Sequence, residues 1–346
     1  MRVGDIFFSG LGVYVPATRD VRSLVRDGLL PAGKAGSLGV TAVAVAGDTP
    51  APDMALRAAQ DAVKSSGLST GNFGLLVYAD VWHQGPEGWE PHYYLQHYLL
   101  GDDLLAVEIK GGRAGLFAGL ELAVGILRTG GQQDAALVVA SDNFGTALID
   151  RWAPGTGFSV LGDAASAVVL ARDRGFARLL SVCTATHPAP GKPAGAAEPM
   201  FPPGATVGRV CDLAANGWET SAAHIRRNRE CAERALAEAE VSVRDIRWVI
   251  GNNTPRDEAE AHLRALGFPL DRSTWAFGNG IGHTGGSDQA ISLHHLLATR
   301  QLSPGDHVLL SGFSPGMTYK AAVLEILAAP PLQLPGRPAC GYATSS

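Results

Sequence analysis

The feature that most constrains the fold of this chain is an internal echo. One segment reads Lys110-Gly111-Gly112-Arg113-Ala114-Gly115, continues with helical spacing to about residue 128, passes a polar turn and enters an apolar run at 135–140. A second reads Gly282-His283-Thr284-Gly285-Gly286-Ser287-Asp288, continues with helical spacing to about residue 299, turns at Ser303-Pro304-Gly305 and enters a run at 307–310. Arg113 and His283 are 170 residues apart, close to half of the 346. Repetition at that spacing predicts a duplicated fold, one half over 1–174 and the other over 175–346, with the seam near Asp173-Arg174-Gly175. The competing explanation is chance, because any chain of alternating strands and helices offers such pairs.

The other apolar runs are short: 6–8, 75–78, 167–170 and 248–250. Helical spacing recurs over 52–66, 222–239 and 256–266. Strands alternating with helices predict an α/β fold with largely buried sheets. Apolar residues at 46%, charged residues at 18% and 43 glycines argue for an ordered chain and against disorder. The net charge of −5 predicts no general attraction to nucleic acid or to an anionic membrane. No apolar run reaches 18 residues, so no spanning helix is expected. The N-terminus has no long apolar region, and the four cysteines (Cys183, Cys211, Cys231 and Cys340) lack metal-like spacing. They read as reduced thiols of a cytoplasmic protein. The stretch 188–208, rich in Pro, Gly and Ala, reads as a loop, and the chain after Pro330 as an extended end.

Helix N-termini expose unpaired N–H groups and a partial positive charge. A Gly-rich approach lets a thioester come close to that backbone, and a developing oxyanion is stabilised there. Both echoed segments have this design. His283 stands among small residues, and a neutral imidazole can take a proton from a hydroxyl or amine. Asp288, five residues on, can orient it or hold the imidazolium. The pair can equally be a helix cap without chemistry. His83 sits in Trp82-His83-Gln84-Gly85, and His92 and His97 flank Tyr93-Tyr94-Leu95. Their spacing does not make a metal set, so no metal is expected. Gly278-Asn279-Gly280-Ile281-Gly282 lacks the acidic partner of a dinucleotide site. Gly162-Asp163-Ala164 reads as a tight turn feeding a core strand.

Five segments in order then resemble the ketoacyl-ACP synthase III family. They are Gly10-Leu11-Gly12-Val13-Tyr14-Val15-Pro16, Ala51-Pro52-Asp53-Met54-Ala55, residues 108–120, residues 162–170 and residues 278–297 with the strand beyond. Trp82-His83-Gln84-Gly85, Asp150-Arg151-Trp152, Thr274-Trp275-Ala276-Phe277-Gly278 and Gly282-His283-Thr284-Gly285-Gly286-Ser287-Asp288-Gln289 are most similar to its acyltransferase-type branch from natural-product (secondary-metabolite, polyketide) pathways. The resemblance implies the five-layered αβαβα thiolase fold with two pseudo-symmetric halves, and a homodimer. It implies an acyl carrier protein (phosphopantetheine) or coenzyme A thioester as donor, a small hydroxyl or amine acceptor, and no tightly bound cofactor. It implies catalysis by His283 and Asp288, with Arg113, Asn252, His83 and Trp82 binding substrate.

The departures from the family pattern matter most. Arg113 stands where the family keeps its nucleophilic cysteine, Asn252 where condensing members keep a histidine, and His283 where they keep an asparagine. A guanidinium stays protonated and is not usefully acylated, which excludes an acyl-enzyme at this position. A cation at a helix N-terminus also costs a few tenths to about 1 kcal/mol. Three readings follow: direct acyl transfer with His283 as base, a catalytically inactive partner subunit that binds a carrier protein or biosynthetic enzyme, or a different reaction in the same pocket.

Overall fold

The computed structural model describes residues 1–86, 88–131, 133–146, 149–152, 159–186, 222–314 and 318–332. The expected loop at 188–208, Cys211, Cys340 and the chain past 332 lie outside the described residues. The first part of the chain forms β1 (Arg2–Tyr14), β2 (Thr18–Asp20), α1 (Val21–Arg26), α2 (Ala32–Leu38), β3 (Ala42–Ala44) and α3 (Ala51–Ser66). It continues with β4 (Phe73–Asp80), α4 (Pro91–Leu95), β5 (Leu105–Lys110), α5 (Gly115–Leu127), β6 (Ala135–Asp142) and β7 (Ala164–Arg172). The second part forms β8 (Ala177–Thr186), α6 (Ala222–Ala239), β9 (Ile246–Ile250), α7 (Arg256–Leu266), α8 (Trp275–Gly278), α9 (Asp288–Ala298), β10 (His307–Ser314) and β11 (Thr318–Ile326).

Nine strands form one sheet in the order β5-β4-β6-β7-β1-β8-β11-β10-β9. β1 and β8 pair antiparallel near its middle. Outward from that pair, β7, β6 and β4 make two antiparallel pairings and then a parallel one. β11, β10 and β9 do the same on the other side. β5 adds a further parallel strand beyond β4.

The core clusters show the layering. Leu116, Phe117 and Leu120 of α5 and Leu293 and Leu296 of α9 pack with Val77 and Val138 on one side and Leu310 and Leu324 on the other. Met54, Ala55 and Ala58 of α3 cover the opposite face of β4 and β6 at Leu76, Tyr78 and Val139. Ala232 and Ala235 of α6 and Leu263 of α7 cover Leu309, Tyr319 and Val323. The layers are therefore α3, sheet, α5 with α9, sheet, and α6 with α7, and the two helices of the echo form the central one. No described helix is long and apolar enough to cross a membrane.

The expected helices are present, except that the segment from 285 opens as a 3-10 turn over Gly285–Ser287 before α9. Polar side chains break up β2 and β8, whereas β3, β5 and β11 hold short apolar runs (42–44, 105–107 and 321–324) that the sequence reading leaves unassigned. Lys320 in β11 is buried, yet its Nζ lies 2.7 Å from Glu121 Oε2, so the ion pair replaces apolar packing there. β1 runs well beyond the expected 6–8 because Gly10 and Gly12 let it lie against α3. A Cβ at Gly10 would stand 2.0 Å from the Ala62 carbonyl oxygen, and one at Gly12 2.1 Å from that of Ala58.

That close approach is testable. Gly12→Ala is expected to lose about 1–3 kcal/mol of stability through overpacking. Urea denaturation measures it, and an unchanged midpoint would contradict the packing described.

Candidate active site

The 3-10 turn Gly285–Ser287 leads into α9, whose first residue is Asp288. Gly282 and Gly285 adopt φ of +80° and +64°, which favours glycine. A Cβ on Gly285 would also stand 2.3 Å from Asp142 Oδ2. The loop before the turn is tied down by its backbone. His283 N donates to Val160 O at 2.9 Å, and Gly162 N donates to His283 O at 2.9 Å.

Asp288 is fully buried and collects five donors. Its Oδ2 accepts from Asn253 N at 2.8 Å and contacts His283 Nδ1 at 2.5 Å. Its Oδ1 accepts from Thr284 N at 2.7 Å, Thr284 Oγ1 at 2.8 Å and Asn253 Nδ2 at 3.0 Å. Burial alone pushes the carboxyl pKa up. His283 and the backbone N–H groups of Asn253 and Thr284 outweigh it and hold the pKa below the ordinary value. An ionised Asp288 facing Nδ1 assigns the proton to that nitrogen and leaves Nε2 as the basic one.

Arg113 lies in the 3-10 turn Gly112–Ala114 before α5 and is 3% exposed. Its guanidinium carbon is 5.6 Å from the centre of the Phe313 ring. Burial, then His262, then Arg113 press the pKa of His224 down to about 3, so His224 is neutral. The two Gly-rich entrances meet: a Cβ on Gly286 would lie 3.5 Å from Gly112 O and 3.6 Å from Leu116 N.

Asn252 Oδ1 accepts from Phe313 N at 3.0 Å. With Asn253, Thr254, His262, Ser311 and Phe313 it lines a cavity of about 50 Å³. Asn253, its neighbour, bonds Asp288, so Asn252 adjoins the His283–Asp288 pair. Trp82 and His83 lie elsewhere, on an open cleft of about 640 Å³ with Asp53, Trp89 and Asn143. His83 Nδ1 is 3.0 Å from Glu108 Oε1 and Nε2 is 3.1 Å from Pro86 O. Trp82 meets Phe144 edge-on at 5.9 Å.

Sequence reasoning assigned no role to several residues that shape this region. Asn253 and Thr284 hold Asp288. Asp163, read only as part of a turn, is fully buried: it accepts from Ala46 N at 2.8 Å and Phe144 N at 2.7 Å, and pairs with Arg151 at 2.8 Å. That network fixes the segment before β7 that carries Val160 and Gly162 beside His283. His224, Asn228 and His262 come from α6 and α7 and gather around Phe313, where His224 Nδ1 is 3.0 Å from Tyr319 Oη. No spacing in the sequence links them.

Comparison with known proteins gives consistent matches. Residues 107–188 match the family model for 3-oxoacyl-[acyl-carrier-protein] synthase III, and residues 236–326 match its C-terminal model. The β-ketoacyl-[acyl-carrier-protein] synthase III of Sphingopyxis alaskensis is 27% identical over 280 residues, 78% of this chain and 82% of that one. The solved structure of ChlB3, an acyltransferase by its description, is 45% identical, covers 95% of this chain and 100% of its own, and has a TM-score of 0.87. The 3-oxoacyl-(acyl carrier protein) synthase III of Pseudomonas aeruginosa PAO1 is 22% identical with a TM-score of 0.76, covering 94% of this chain and 99% of that one, a likeness of fold.

Asp288→Asn is expected to cost about 1–3 kcal/mol for each buried donor left facing the new amide. The lowered carboxyl pKa sets the pH window. The stabilisation from ionised Asp288 is present above about pH 4 and is lost as pH falls through the lower folded-state value. Acid unfolding followed by circular dichroism should therefore be shallower in Asp288→Asn than in the wild type; superimposable curves would remove Asp288 from this role.

Proposed function

This chain belongs to the 3-oxoacyl-[acyl-carrier-protein] synthase III family and has its thiolase fold, and from that premise we propose that it is a non-condensing acyltransferase. In this reading it moves an acyl group from an acyl carrier protein or coenzyme A thioester directly to a hydroxyl or amine. The observation that carries it is the pairing of His283 with a buried, ionised Asp288 in a site whose nucleophile position holds Arg113.

The chemistry follows from those groups. His283 Nε2 takes the proton of the acceptor O–H or N–H as that atom bonds to the thioester carbon. The carbonyl electrons move onto oxygen, then return as the carbon–sulfur bond breaks, and the imidazolium returns the proton to the departing thiolate. Asp288 stabilises the imidazolium while it lasts. Holding donor and acceptor together replaces the missing covalent step, and positioning of this kind contributes several kcal/mol. Arg113 adds positive charge at the entrance of α5, where negative charge develops on the carbonyl oxygen. Asn252 cannot accept a proton as a histidine would, which argues against condensation. The description of ChlB3 as an acyltransferase supports the same reaction class.

The alternative is an inactive, carrier-protein-binding subunit. It rests on the missing nucleophile, whereas the five donors converging on Asp288 favour catalysis. With acyl carrier protein or coenzyme A thioesters and candidate acceptors, His283→Ala is expected to lose about 10²- to 10⁴-fold in turnover. Unchanged turnover would overturn the assignment of the base. Arg113→Cys is expected to trap the acyl group on the protein, visible as a mass increase. A wild type that binds carrier protein yet turns over no donor would favour the inactive subunit.

A further inference from the structure

Beside the His283 loop, the ends of β4 and β5 bring together three side chains to which the proposed reaction gives no role. The strands pair in parallel, with Tyr78 opposite Glu108 and Asp80 opposite Lys110. Alternation along the strands puts Asp80 and Glu108 on the same face as Tyr78. The turn after β4 returns His83 to that face, with Nδ1 3.0 Å from Glu108 Oε1. One ligand atom from each of Asp80, His83 and Glu108 lies within 4.8 Å of the other two.

Asp80 is 1% exposed, and its carboxyl meets only another acid, a side-chain hydrogen bond shared with Glu108, with no N–H or hydroxyl donor on it among the described residues. An ionised carboxylate in that position is costly, and no donor offsets the cost. Asp80 faces Glu108 and Lys110 from β5, Asp142 from β6 and His83 from the turn. Burial, then Asp142, then Glu108 raise its pKa to about 9, so at neutral pH it keeps its proton. His83 and Glu108, with side chains 19% and 12% exposed, open onto a cleft of about 650 Å³. Glu90 and His92 also line that cleft and form a second trio with Glu108.

We propose that Asp80, His83 and Glu108 bind a divalent transition-metal ion of the Zn²⁺ or Mn²⁺ kind. One imidazole nitrogen and two carboxylates make a mixed ligand set that suits such ions better than Mg²⁺ or Ca²⁺. A dication between these groups supplies the positive charge that the buried Asp80 carboxyl and Glu108 otherwise lack. The open cleft, lined by His83, Glu90 and Glu108 with Lys110 beside them, is the entry path. The Glu90 trio is the poorer placement, because the Glu90 side chain is 49% exposed. Asp142 connects the site to the His283 loop: its Oδ1 accepts from Val81 N at 2.8 Å, and its Oδ2 stands where a Cβ of Gly285 would be. The site is independent of the acyl-transfer reading.

The test is isothermal titration of the full chain, stripped with chelator, using Zn²⁺, Mn²⁺ and Mg²⁺ alone. One ion per chain is expected, with Zn²⁺ or Mn²⁺ bound at least a hundredfold more tightly than Mg²⁺. Asp80→Asn and Glu108→Gln should each weaken binding at least tenfold. The folding control is circular dichroism: both metal-free variants should keep the wild-type far-UV spectrum, so that weakened binding reports the ligands and not a loss of fold. Absence of saturable binding, or binding that survives both substitutions unchanged, overturns the site.

Discussion

The arrangement of this molecule turns on one buried carboxylate. Asp288 sits at the first position of the central helix α9 and collects donors from two neighbouring segments: the loop of His283 and Thr284, and Asn253 after β9. A fully buried charge in that position is tolerable only because every lone pair is met. The same bonds that stabilise the carboxylate fix the imidazole ring, its tautomer and the loop after β9. Structure and potential chemistry therefore rest on one group, and the ring that would move protons has little freedom to leave its place.

Around that point the backbone comes unusually close to itself. Gly112 and Gly286 bring the two helix entrances together, and Gly162 lies against the Ile281 carbonyl, where a Cβ would stand 2.2 Å from its oxygen. Side chains at these positions would hold the segments apart. Asp163 and Arg151 complete the support from the opposite side, anchoring the segment before β7 whose backbone bonds His283. The site is built mainly from glycines and buried polar groups. Its large apolar residues lie farther out, in the clusters that clamp α5 and α9 between the two sides of the sheet.

Arg113 changes what such a scaffold can do. A guanidinium is a permanent cation with no nucleophilic form, so the entrance of α5 offers electrostatics in place of covalent chemistry. Its side chain is drawn toward Phe313 and the neutral His224, into the part of the molecule built by α6, α7 and β10. Proton transfer is thereby left to the second entrance. The two halves of the echo have the same backbone design, yet the groups they carry divide charge and proton transfer between them.

The sequence by itself determined the alternation of strands and helices, the two Gly-rich helix entrances and the identity of the residues at each. These are local properties, set by apolar periodicity and by the positions that demand glycine. The pairing of His283 with Asp288 was also legible, because five residues across a helix start can touch. Tertiary structure alone decided which groups meet from distant elements. Asn253 on Asp288, Asp163 on Arg151 and Ala46, and His224 beside His262 and Tyr319 leave no trace in spacing. The same holds for Asp80, His83 and Glu108. Scanned along the chain, His83 lacks ligand spacing, and Glu108 comes from the neighbouring strand. Strand pairing brings them together, and register is set by the whole buried sheet, not by any short stretch of sequence.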